Sequence, residues 1–179
     1  MENKVFVIHL SNGDSFSVQF QLNNFPHLLG LSHCAQGRQV KEFSGRTAIE
    51  LIESEELTLE RLKSLNKKAF DKYVVSKIES FEFFLSVFPN RPNMMEGIVF
   101  DSSRVLKVID RTLQKAKLIV QDIGNPNIKH VIIFGEETNN NEEILFPLSI
   151  RKETNQTVDY LDMQTKHRII DISITEEQR

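Results

Sequence analysis

Residues 115–135, KAKLIVQDIGNPNIKHVIIFG, decide how the chain folds. Two short apolar runs, KAKLIVQ and KHVIIFG, flank the breaker cluster Gly124-Asn125-Pro126-Asn127, which is a strand–turn–strand signature. Working outward, MEGIVF (95–100), EILFPLSI (143–150) and HRIIDISI (167–174) read as three further strands. Gly135 and the run Thr138-Asn139-Asn140-Asn141 mark the tip of another hairpin, and Arg104 to Leu113 read as a helix between MEGIVF and KAKLIVQ.

The first twenty residues predict a β-hairpin. Phe6, Ile8 and Leu10 alternate with Val5, Val7 and His9, the turn falls at Asn12-Gly13, and Phe16, Val18 and Phe20 continue the alternation. Asn24-Phe25-Pro26-His27-Leu28-Leu29-Gly30 then reads as a short helix, with Asn24 as cap, Pro26 in the first turn and Gly30 at the end. Residues 31–45 read as a polar loop. Helices follow from Ser44 to about Glu56, after a Thr58 cap, and from about Lys67 to Phe88. In the last, Phe70, Val74, Ile78, Phe81, Leu85 and Phe88 recur at spacings of three and four and predict one apolar face, stopped by Pro89 and Pro92. The expected class is α+β. One domain spans 1–179, with an N-terminal hairpin and helices (1–92) packed on a C-terminal, mainly antiparallel sheet of four to five strands (93–179).

Composition narrows the function. A chain of 179 residues with 40% hydrophobic side chains buries a core without disulfides, and Cys34 is its only cysteine. No run approaches the roughly 18 apolar residues of a membrane helix, and the N-terminus turns polar too early for a signal peptide, so a cytoplasmic location is expected. The net charge of −3 means that any nucleic-acid contact must come from a local patch. There is no GxxxxGK[ST] phosphate loop, GxGxxG, HExxH or GxSxG, and His33-Cys34 lacks further zinc ligands. No cofactor and no metal are expected.

The segment Asn24-Phe25-Pro26-His27-Leu28-Leu29-Gly30-Leu31 and the late strand Leu145-Phe146-Pro147-Leu148-Ser149-Ile150-Arg151-Lys152-Glu153 together resemble the phage-associated Barnase–EndoU–colicin–RelE-like (PBECR) nucleases, in the branch with an FPHLLGL-type motif. The resemblance implies a helical layer on a twisted four-stranded antiparallel sheet. It also implies metal-independent ribonuclease activity in a toxin or phage–host conflict setting. RNA (tRNA or mRNA) would be the substrate and an inhibitor or antitoxin protein a partner. Membrane contact is not expected, and the oligomeric state is left open.

That chemistry needs a base for the 2′-hydroxyl, cations for the phosphorane and an acid for the leaving 5′-oxygen. His27 is the first candidate for acid or base. Ser149 and Arg151 lie two apart on a strand and share a face, so Arg151 can grip the phosphate while Ser149 positions it; Lys152 points to the other face. Lys117 stands out from the basic stretch Arg104, Lys107, Arg111, Lys115 and Lys117. His130 is a second imidazole, His9, His33 and His167 carry less, and Arg38 offers only a phosphate contact. His27, Lys117, Ser149 and Arg151 are thus expected to converge on one cleft. The competing readings are a non-catalytic protein-binding module on the same scaffold, motivated by net acidity and no clean His–Glu–Arg triad, and a homo-oligomer built through Phe81-Glu82-Phe83-Phe84.

Overall fold

The computed structural model describes residues 4–37, 39–105, 110–125, 127–136, 144–154 and 159–176. Arg38, Lys107 and the Asn139–Asn141 tip lie outside them. Seven strands form one sheet: β1 (Lys4–Leu10), β2 (Ser15–Gln19), β3 (Met95–Val99), β4 (Ala116–Asp122), β5 (Ile128–Glu136), β6 (Ile144–Thr154) and β7 (Lys166–Glu176). Their order is β1-β2-β6-β5-β4-β3-β7, with β7 returning to β1, so the sheet closes into a barrel. All neighbours are antiparallel except β2 and β6, which run parallel. The sheet is larger than the expected four to five strands. The N-terminal hairpin does not sit apart with the helices; it pairs along β7 from Lys4↔Glu176 to Leu10↔Ile169 and so completes the sheet. Closure satisfies edges that an open sheet would leave unpaired.

The inward residues of the alternating strands make the main core. Phe6, Ile8, Val18, Leu118, Ile132 and Phe134 are all buried there, each contributing about 1.5–3 kcal/mol. A second cluster lies on the outer face of β3, β4 and β5, where Ile98, Ile119, Val131 and Ile133 are covered by Leu113, Tyr160 and Leu161. The covering residues come from α7 (Arg111–Gln114) and α8 (Asp159–Asp162).

The helical layer comprises α1 (Phe25–Leu28), α2 (Gln39–Glu42), α3 (Gly45–Glu53), α4 (Leu59–Leu65), α5 (Lys67–Ala69) and α6 (Val75–Val87). A π-helical turn, Phe70–Val74, joins α5 to α6. Thr58 caps α4 by accepting from the Arg61 amide, as its sequence position predicts. Asn24 makes no such side-chain bond, and residues 31–45, where the sequence predicts a polar loop, contain a 3-10 turn, Leu31–Cys34, and α2. The long helix also differs from its predicted single apolar face. Phe70 and Val74 go into the helical core, whereas Phe84, Val87 and Phe88 enter the barrel core, and Leu85 is half exposed. The helix is sandwiched between two cores, so apolar residues on more than one side are satisfied.

Candidate active site at the barrel seam

The parallel contact that closes the barrel is short. Among the described residues, β2 meets β6 only at Ser17↔Ile144 and Val18↔Leu145, and the rest of β6 has no strand partner on that side. α1 and α6 pack there instead. The Phe25-Pro26-His27-Leu28 helix thus packs against β6, joining two segments more than a hundred residues apart.

The face that β6 presents is set by a bulge. Ser149 pairs with Ile133 and Pro147 with Phe134, so Leu148 is the extra residue. Proline has no amide to give the ladder, which makes this a natural place for a bulge. Beyond it Ser149, Arg151 and Glu153 share the outer face, while Lys152 points the other way and pairs with Glu79 at 2.5 Å. The Arg151 guanidinium is held at three points. Its Nε donates to Ser149 Oγ at 3.2 Å, Nη2 lies 2.7 Å from Asp110 Oδ2, and Nη1 lies 4.0 Å from Glu153 Oε1. Glu153 is nearly buried and accepts from the Tyr160 hydroxyl at 2.8 Å. Burial, reinforced by the Glu153 carboxylate, pushes the Tyr160 phenol up, so it stays a donor. Burial alone would raise the Asp110 carboxyl, but the Leu113 amide and the Arg151 charge outweigh it and hold it below the ordinary carboxylate range.

On the helical side of the seam, Lys77 of α6 donates from Nζ to the Leu28 carbonyl at 3.1 Å. Gly30 makes room for it. A Cβ there would lie 3.1 Å from Lys77 Cδ and 3.2 Å from His33 Cδ2, and φ is +72°. Burial and then the Arg151 charge lower the Lys77 pKa to about 8. His27 is exposed, yet its crowded ring is partly desolvated; that, with the Lys77 charge, lowers its pKa. His33, stacked on Tyr73 at 4.5 Å, is lowered by the same causes and by His27. Lys77 is thus the electrostatic link between His27 and Arg151.

Of the four expected residues, Ser149 and Arg151 touch, His27 is linked to Arg151 only through the charge of Lys77, and Lys117 lies apart. Arg151 registers with Val131 and through it with Gln121, four residues along β4 from Lys117, about 13 Å at the rise of a strand. Lys117 is instead paired with Glu136 at 3.1 Å. The basic stretch is partly neutralised elsewhere too, since Arg104 binds Asp101 at 3.2 Å. His130 serves packing: its ring stacks on Phe83 at 4.9 Å and bonds Ser80 Oγ at 3.0 Å. His9 bonds Ser15 and Ser173, and His167 lies 3.5 Å from Asn12.

Sequence reasoning missed Lys77, Asp110 and Tyr160 as members of this cluster, and gave Glu153 no role. Glu153 was within reach, because positions 149, 151 and 153 share one strand face. Lys77 had no local signal; only Gly30, packed against its stem, betrays it. Chemically, the seam offers a neutral imidazole, a lysine whose pKa is lowered to about 8 and a guanidinium paired with the half-exposed Asp110. That set can abstract a proton, return one and neutralise a phosphate between them.

The family model for PBECR4, phage-Barnase-EndoU-ColicinE5/D-RelE like nuclease4, matches residues 1–177. No curated protein and no solved structure matches the chain.

Proposed function

The chain belongs to the PBECR4 family of phage BECR-like nucleases, and from that premise we propose that it is a metal-independent endoribonuclease acting at the β6 seam. Membership makes a nucleic acid the substrate class. The observation that carries the finer reading is the 3.1 Å bond from Lys77 Nζ to the Leu28 carbonyl, beside His27, where burial first and the Arg151 charge second lower the Lys77 pKa to about 8.

His27, neutral at pH 7, takes the proton of a 2′-hydroxyl. The 2′-oxygen attacks phosphorus as the P–O5′ bond breaks, giving a 2′,3′-cyclic phosphate and a free 5′-hydroxyl. Lys77, charged at pH 7 with a pKa of about 8, gives its proton to the departing 5′-oxygen. Arg151 holds the non-bridging oxygens, and Ser149 fixes the guanidinium through Nε. Asp110, half exposed, yields its ion pair to the incoming phosphate. Lys117 takes no step in this scheme. A substrate carrying a single 2′-deoxynucleotide tests the attack directly. Resistance at that linkage alone is expected; cleavage there would remove the 2′-hydroxyl from the mechanism.

A second reading, a protein-binding module on the same scaffold, is favoured by one observation: the cations that could meet RNA, Arg151 and Lys117, are already engaged by Asp110 and Glu136.

A further inference from the structure

Four of the ten large hydrophobic side chains that are exposed among the described residues gather at one place. Phe81 and Leu85 of α6, with Phe25 of α1, form the floor shared by two adjoining hollows of about 380 and 440 Å³. Leu22 borders the first, and Ile52 and Leu59 border the second. Leu22, Ile52, Leu59 and Leu85 are 41%, 36%, 49% and 50% exposed, so four of the chain's exposed large hydrophobic side chains line one continuous groove. A cluster of that kind marks an interaction surface more often than scattered apolar exposure does.

The rim says what fits. Residues 49–60, IELIESEELTLE, carry five glutamates and no base. Glu53, Glu55, Glu56 and Glu60 are exposed beside Ile52, Leu57 and Leu59, and Glu82 lines the groove itself. The nearest bases on α4 are Arg61, whose guanidinium is turned to the Glu56 carbonyl, and Lys63. A second copy of this chain would bring one acidic rim against another. The lining residues come from helices and turns and not from a paired strand. An occupant therefore finds no sheet edge to complete and must satisfy its own backbone, as a helix does. We propose that this groove docks a basic amphipathic helical segment of a partner protein, with its apolar stripe on Phe25, Phe81 and Leu85 and its lysines or arginines over the glutamate rim. The proposal is independent of the nuclease chemistry, although an occupant would lie against the helix that carries His27.

The test uses the full chain and two labelled amphipathic peptides of about four helical turns, one of leucine and lysine and one of leucine and glutamate. Anisotropy gives affinities and amide hydrogen exchange gives the footprint. The leucine–lysine peptide should bind at least about tenfold tighter than its counterpart, protect segments 22–28 and 78–85, and weaken by a similar factor in Leu85→Asp. Glu82→Lys, which leaves the apolar floor intact, should weaken the leucine–lysine peptide and strengthen the other, so the charge argument survives even if Leu85→Asp misfolds. Equal binding of the two peptides, a footprint over Asp110 and Glu153, or a concentration-dependent dimer that buries Leu85 would overturn it.

Discussion

The Lys77 ammonium donates to the Leu28 carbonyl at 3.1 Å, and this bond ties the long helix to the short one that carries His27. It holds a lysine in surroundings that disfavour its charge, and its cost can be read by titration. The folded pKa is about 8 against an ordinary 10.5. Between those values the unfolded chain binds more protons, so stability rises with pH across that window; below about 8 the penalty is fully present. Lys77→Met should therefore stabilise the protein below pH 8 by up to about 3 kcal/mol, offset by about 1 kcal/mol for the lost hydrogen bond. The advantage should fade by pH 10.5. Urea unfolding at several pH values checks it; a difference independent of pH would mean that Lys77 has an ordinary pKa.

Cleavage should follow a bell in pH. The acid limb falls below 6.5, because burial and Lys77 lower the His27 pKa, and the alkaline limb lies near 8, where Lys77 loses its proton. His27→Ala should remove the acid limb along with most of the rate, by about 10²–10⁴-fold. Lys77→Arg should carry the alkaline limb upward. Single-turnover rates between pH 4.5 and 10 decide it, and limbs that stay in place in both variants would assign the titrations to other groups.

Gly30→Ala should cost about 1–2 kcal/mol from the left-handed backbone alone, and more because the new Cβ presses on Lys77 and His33. Thermal unfolding measures the first effect. The second should appear as a slower reaction in the variant that still folds, together with a shifted alkaline limb.

Tyr160→Phe should leave the nearly buried Glu153 carboxylate without its 2.8 Å donor, a loss of about 1–3 kcal/mol. Since Glu153 also faces Arg151, cleavage should fall as well. Lys117→Ala, in contrast, should change the rate less than about threefold, since its pair with Glu136 contributes at most about 1 kcal/mol at an exposed site.

Much of this was legible in the letters. The strands announced themselves through alternation and breakers, and the 149–151 spacing placed Ser149 and Arg151 on one face. What the letters hid was long-range. Nothing local in KVFVIHL says that it pairs with KHRIIDISITE at the far end of the chain, and that pairing turns a modest sheet into a closed seven-stranded one. Lys117 looked equivalent to Arg151 because strand registry across β4, β5 and β6 is invisible in sequence. Lys77 looked like an ordinary helix lysine because its burial depends on a glycine 47 residues earlier.

The most direct test of the seam as a ribonuclease site is incubation of purified protein with mixed cellular RNA in EDTA, beside Arg151→Ala checked for folding by circular dichroism. The account predicts discrete fragments with 2′,3′-cyclic phosphate ends from the wild-type chain and at least about a hundredfold less from the variant. No cleavage by folded wild-type protein, cleavage only on adding a divalent metal, or equal cleavage by Arg151→Ala would contradict it.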